Sequence, residues 1–146
     1  KQHDGFLGHS YLGSWVNLGA NTNTSDLKND YGNVKVHCGG DMLDTGSKHI
    51  GLIMGDHSKS GINTMFNTGT VIGSVCNLFG GGFHPKFVPS FSWGGPDSGY
   101  SEYRLDKAVE VTEKVMARRN VGFSDRDRDL FQHVFNVTAS DREAYQ

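Results

Sequence analysis

The chain has 146 residues, one domain's worth, and its net charge of −2 gives nucleic acid or an anionic membrane no electrostatic reason to be its main partner. No apolar stretch approaches the length of a membrane span, and no charged-then-apolar secretion leader opens the sequence. Twenty glycines against three prolines suit a turn-dense fold rather than a disordered segment.

From the N-terminus, apolar–Gly pairs recur about every six residues: Leu7-Gly8, Leu12-Gly13 and Leu18-Gly19. The ladder resumes at Met54-Gly55, Ser60-Gly61, Phe66-Asn67, Ile72-Gly73 and Leu78-Phe79. A period of about six fits neither the helical 3.6 nor the alternation of one strand. It fits an all-β solenoid, a left-handed parallel β-helix in which each hexapeptide forms one flat side of a triangular coil. The apolar residue then points inward and the small residue after it permits the corner. The β-helix is expected to span residues 1–96. Because Lys1 already stands inside the pattern, with no initiator Met, an N-terminal part that carries the cap is expected to precede it.

Between about residues 26 and 50 the period breaks, and Lys28, Asn29, Asp30, Asn33, Asp41, Asp44 and Lys48 crowd a polar excursion. Val34, Lys35 and Val36 alternate within it like a short strand. Long loops on a rigid scaffold carry function or subunit contacts. Cys38 and Cys76 lack metal-type spacing and read as reduced and buried, which favours the cytoplasm. Pro85, Pro89 and the run Ser92 to Pro96 are expected to end the coil.

Residues 97–146 read as a helical extension. Leu105, Ala108, Val109, Thr112, Val115 and Met116 sit at helical spacing through Arg119. Ser124 with Asp125 and Asp127 reads as the cap and acidic first turn of a second helix, whose apolar face would be Leu130, Phe131, Val134 and Phe135.

The chemistry-bearing candidates stand at the head of the ladder. His3 and Asn17 can lie near one edge on successive coils, a base and hydrogen-bond pair suited to acyl transfer to an amine. The bland alternative is a solvated histidine beside a stacked asparagine. The string from His3 through Phe6-Leu7-Gly8, Leu12-Gly13 and Asn17-Leu18-Gly19-Ala20 to Thr22, Thr24 and Asp26 has no gaps, and includes a five-residue step from Leu7 to Leu12. It closely resembles the acetyltransferase half of the bifunctional N-acetylglucosamine-1-phosphate uridylyltransferase / glucosamine-1-phosphate acetyltransferase family. The segment Gly51–Trp93 looks like the bacterial branch in which a nucleotidyltransferase domain precedes the solenoid.

That resemblance implies acetyl-CoA-dependent N-acetylation of an amino sugar 1-phosphate, glucosamine 1-phosphate first, feeding nucleotide-sugar synthesis in a bacterial cytoplasm. It implies a homotrimer with sites between subunits, no membrane insertion, and Mg2+ only for the upstream nucleotidyltransferase domain. His3 would be the general base; Phe6, Asn17, Asp26 and Lys35 would bind the sugar phosphate; Ala20, Asn21 and Asp56 would border acetyl-CoA. Backbone N–H groups of Gly19 to Asn21 are candidates for the oxyanion, and Lys28, Lys35, Arg118 or Arg119 for phosphate. Three positions depart from the family pattern: Phe6 replaces a tyrosine, Asp26 an asparagine, and Asn21 a glycine.

Two other functions compete. The coil could be a non-catalytic trimerisation and regulatory module of a sugar-1-phosphate nucleotidyltransferase. Alternatively His37, His49 and His57 could supply a shared zinc for hydration of carbon dioxide, although their spacing follows no fixed ligand motif and no metal is assigned.

Overall fold

Thr22, Thr24, Leu52, Met54, Phe66, Ile72, Leu78 and Val88 are all buried, as a six-residue period requires of residues that face the axis of a coil. The computed structural model describes residues 4–145, and they form the left-handed parallel β-solenoid that the ladder predicts. The chain winds through β1 (Gly5–Phe6), β2 (Tyr11–Leu12) and β3 (Thr22–Thr24), then leaves as an antiparallel hairpin, β4 (Lys35–Cys38) and β5 (Asp41–Asp44). It re-enters through β6 (Leu52–Met54), β7 (Lys59–Ser60), β8 (Met65–Phe66), β9 (Thr70–Ile72), β10 (Asn77–Leu78), β11 (Phe87–Val88) and β12 (Ser92–Gly95). An antiparallel strand, β13 (Gly99–Glu102), closes the far end.

Three faces result. The first stacks β1-β3-β8, the second β2-β6-β9-β11, and the third β7-β10-β12-β13. Asn17 extends the third face by bridging Lys59, and Phe83 extends the first by bridging Met65. Inside the prism, Leu52, Met54, Phe66, Ile72, Cys76, Leu78 and Val88 form one apolar cluster.

The glycines of the ladder serve close approach rather than unusual torsion. A Cβ on Gly55 would lie 2.7 Å from the Ser74 nitrogen and 2.8 Å from the Gly73 carbonyl carbon of the next coil. Left-handed torsions fall two residues later, on side chains that rarely take them. Trp15, His57, Val75 and Phe91 have φ of 60°, 60°, 60° and 59° and stack along the corner between the second and third faces.

Three helices follow: α1 (Leu105–Ala117), α2 (Asp125–Val137) and the short α3 (Ala139–Glu143), where the sequence predicts two. The predicted cap of α2 is present as a reciprocal pair: Ser124 Oγ accepts from Asp127 N, and the Asp127 carboxylate accepts from Ser124 N. The helices cover the strained corner, where Val75, Phe91, Tyr103, Ala108, Val109 and Phe131 form a second cluster. Arg142 pins them down. Its guanidinium is buried, donates to Phe135 O (2.8 Å), Thr138 Oγ1 (2.7 Å) and Glu102 Oε2 (3.2 Å), and stacks 4.2 Å from the Phe135 ring centroid.

Some sequence expectations are corrected. Pro85 and Pro89 do not end the coil, whereas the run Ser92 to Pro96 does. Pro85 and Pro89 flank β11 at corners, where no ladder N–H is lost, and the parallel winding stops only where β12 reverses into β13. Cys38 is exposed near the hairpin turn, outside the prism, whereas Cys76 is buried; both are free thiols. Burial pushes the Cys76 thiol up to about 11, so it is inert. Leu130 is 57% exposed, because α2 turns Phe131, with Val134 and Phe135 beside it, to the coil instead. Leu7 is also largely exposed, no described residue covering it. Among the described residues, no helix is long and apolar enough to cross a membrane.

Candidate functional site

The edge between the first and second faces, where the hairpin departs, gathers more ionisable side chains than the others. The chain turns this corner at His9, a non-glycine residue with φ of 43°. Neighbouring coils hold it: Gly8 N donates to Thr24 Oγ1 (3.2 Å) and Gly51 N donates to His9 O (2.8 Å). Asp26 sits beside it on the next coil, its carbonyl accepting from Ile50 N (3.0 Å).

The two side chains meet. His9 Nδ1 lies 2.6 Å from Asp26 Oδ2. An ionised carboxylate only accepts, so Nδ1 carries the proton and Nε2 is left available. His49 packs against the same imidazole at 5.1 Å between ring centroids. Gly8 lies beneath: a Cβ there would strike the Asp26 carboxylate and sit 2.7 Å from the Phe6 ring. Phe6, Gly8, His9 and Asp26 therefore form one constellation.

Beside it opens a cavity of about 530 Å³, lined in part by Ser25 and Leu27, the neighbours of Asp26. Lys28 from the excursion and Lys86 from the corner before β11 both border it. Lys28 pairs with Asp30 at 3.0 Å. Lys86 donates to the Thr68 carbonyl, and burial, followed by the positive charge of Lys28, holds its amine below the usual lysine range.

The other predicted residues are spread over the remaining edges. His3 lies outside the described residues. Asn17 is exposed on the third face, where its backbone exchanges hydrogen bonds with Ser58 and Ser60. Ala20 and Asn21 form the corner between the third and first faces, where Asn21 takes φ of 57° and donates from Nδ2 to Asn63 Oδ1 (2.8 Å). The Gly19 N–H is spent on Ser60 and the Asn21 N–H on Asp4, so the Ala20 N–H is the one of that stretch with no acceptor among the described residues. Asp56 caps Ser14 N at 2.6 Å, beside the crevice under α2. Lys35 is exposed on β4, and Arg118 and Arg119 are exposed at the end of α1. The sequence reading does not single out His9 or Lys86, and it considers His49 only as a zinc ligand; a histidine directly after Leu7-Gly8 is the available signal for His9.

The three histidines considered for zinc do not converge. His37 stacks on Phe87 at 3.9 Å, His49 lies by His9, and His57 stacks on Trp15 at 6.1 Å. Among the described residues, no group of three His, Cys, Asp or Glu side chains is arranged to hold a metal ion.

No family model matches this chain. It is 32% identical over 79 residues, 54% of its length, to a bifunctional sugar-1-phosphate nucleotidylyltransferase/acetyltransferase of Sulfurisphaera tokodaii. It is 38% identical over 74 residues (51% of its length) to the bifunctional protein GlmU of Methanocaldococcus jannaschii, and 39% identical over 72 residues (49%) to that of Methanococcus maripaludis. These matches span 20%, 18% and 17% of the three relatives, so the chain corresponds to about a fifth of their length. Over about half its length, this solenoid is thus similar to the bifunctional sugar-1-phosphate nucleotidylyltransferase/acetyltransferases.

Proposed function

We propose that this chain is an acetyltransferase coil that moves an acetyl group from acetyl-CoA to the amine of an amino sugar 1-phosphate, glucosamine 1-phosphate first. What carries the reading is the similarity to a protein named as a bifunctional sugar-1-phosphate nucleotidylyltransferase/acetyltransferase, on a coil in which Phe6 and Asp26 of the implied site both lie against Gly8. In this reading His3 takes the amine proton as the nitrogen attacks the thioester carbonyl. The C–N bond forms, the C–S bond breaks, and the coenzyme leaves as its thiol after receiving a proton. The Ala20 N–H is the candidate donor to the oxyanion. Asp26, held by His9, fixes a negative charge that the family's asparagine would not supply.

A homotrimer belongs to the same proposal. Two exterior columns run across the coil: Tyr11, Ile53, Val71 and Phe87 on the second face, and Phe6, Asn23, Met65 and Phe83 on the first. Tyr11 is 71% exposed and Phe83 58%, which suits burial against neighbouring copies. It also suits the dispersal of Asn17, Asn21 and Asp56 over separate edges, since a site between subunits draws on different edges of each. The same columns would serve a purely oligomerising module, so assembly alone does not choose between catalysis and scaffolding.

Thiol release from acetyl-CoA with glucosamine 1-phosphate, measured with the full-length protein and with His3→Ala, decides. The proposal expects turnover that the substitution abolishes. No turnover with glucosamine 1-phosphate, or turnover indifferent to His3, would assign the coil to assembly and regulation.

A further inference from the structure

Lys86 presents an unusual charge balance. Its ammonium is half-buried at the corner before β11, yet its described partner is a neutral carbonyl, that of Thr68, and it pairs with no carboxylate among the described residues. A partly desolvated cation without a counter-ion is costly, and its surroundings normally supply the missing negative charge. Here a second cation, Lys28, faces the same cavity, and the one carboxylate on its wall, Asp30, is already engaged by Lys28 and by Gly32 N (2.9 Å). The remaining wall carries Asn67 and Thr68, neutral hydrogen-bonding groups, and the 58%-exposed ring of Phe83. At about 530 Å³ the cavity is in the range that holds a small organic molecule rather than a bare ion.

We infer that this cavity binds the phosphate of a phosphate-bearing small molecule, with Lys86 and Lys28 on the anion and Phe83 against its less polar part. Two lysines from separate segments act as point charges and tolerate either a monophosphate or a pyrophosphate. The choice of ligand rests on the acetyltransferase reading, which offers an amino sugar 1-phosphate and the phosphorylated nucleotide half of the acetyl carrier. The demand for an anion does not rest on it.

Titration calorimetry on the full-length protein with pyrophosphate, adenosine 3′,5′-bisphosphate and glucosamine 1-phosphate tests this and separates the sources. At least one should bind, and Lys86→Met and Lys28→Gln should each weaken it about tenfold or more. Lys107→Gln, on α1 away from the cavity, should leave it unchanged. Because Lys28 is at the surface, Lys28→Gln keeps the test intact even if Lys86→Met fails to fold. Affinity unaltered in the two cavity variants, or no binding of any of the three anions, overturns the assignment. The readout needs no turnover. A protein that binds through Lys86 but transfers no acetyl group refutes the acetyltransferase reading and keeps the pocket; an active protein without lysine-dependent binding does the reverse.

Discussion

His9 and Asp26 join successive coils through a 2.6 Å contact between Nδ1 and Oδ2, placed where the hairpin excursion leaves the prism. The imidazole is 60% exposed and the carboxylate 19%, so this is a surface pair held by backbone geometry rather than by burial. Its torsional cost at His9 is met by the coil hydrogen bonds on either side.

An exposed histidine–carboxylate pair contributes about 0–1 kcal/mol, so Asp26→Ala and His9→Gln should shift the unfolding free energy by no more than about that. Under the acetyltransferase proposal, both should still lower turnover about tenfold to a hundredfold through loss of positioning. Denaturant melts and steady-state kinetics on the same preparations check the two expectations together. Variants that are fully active would reduce the pair to a structural clamp.

Gly55→Ala should destabilise by about 1–3 kcal/mol, because the added Cβ meets the backbone of the next coil, which cannot move aside. Gly122→Ala, in the link between α1 and α2, meets nothing within 4 Å. It should be neutral, or stabilise by about 0.4–1 kcal/mol through the unfolded chain. Urea unfolding of the two variants makes the comparison.

His84 is buried against Phe66 and bonded from Nδ1 to Tyr100 Oη at 2.7 Å, and burial pushes its pKa down to about 4. The unfolded imidazole takes a proton near its ordinary value of 6.5, so unfolding takes up a proton between about pH 6.5 and 4. Its contribution is therefore fully present above about pH 6.5 and is lost as the pH falls toward 4, by up to about 3 kcal/mol. His84→Gln should flatten that part of the stability profile, read by denaturant melts across the window.

Arg142→Ala should cost about 3 kcal/mol, since it empties a buried site and strands the carbonyl and hydroxyl groups that the guanidinium satisfies. Arg142→Lys should recover little, because an ammonium cannot reproduce the planar stack on Phe135 together with the forked hydrogen bonds. Hydrogen exchange should show α2 and α3 loosening first, with the amides of β6 and β9 still protected.

The legible parts were those written as local period or local chemistry. Phe66, Ile72 and Leu78 point inward because six residues carry the chain along one side, and Ser124 with Asp127 caps α2 because three residues return the side chain to the first turn. Pro85 and Pro89 misled because a proline is forbidden only where its missing N–H belongs to a ladder, and both sit at corners. Trp15, His57, Val75 and Phe91 gave no sign of left-handed torsions, which are set by the stacking of corners and not by residue preference.

By itself the sequence determined the solenoid, its inward residues, the excursion and the capped helix, because each depends on spacings of a few residues. It also carried the resemblance that named His3, Asn17 and Asp26. Only the tertiary structure decided that Asp26 faces His9, that Lys28 and Lys86 share a cavity, and that the helices cover the strained corner. Those relationships join residues a full coil or more apart, and stacking register, which no local pattern encodes, sets which of them meet.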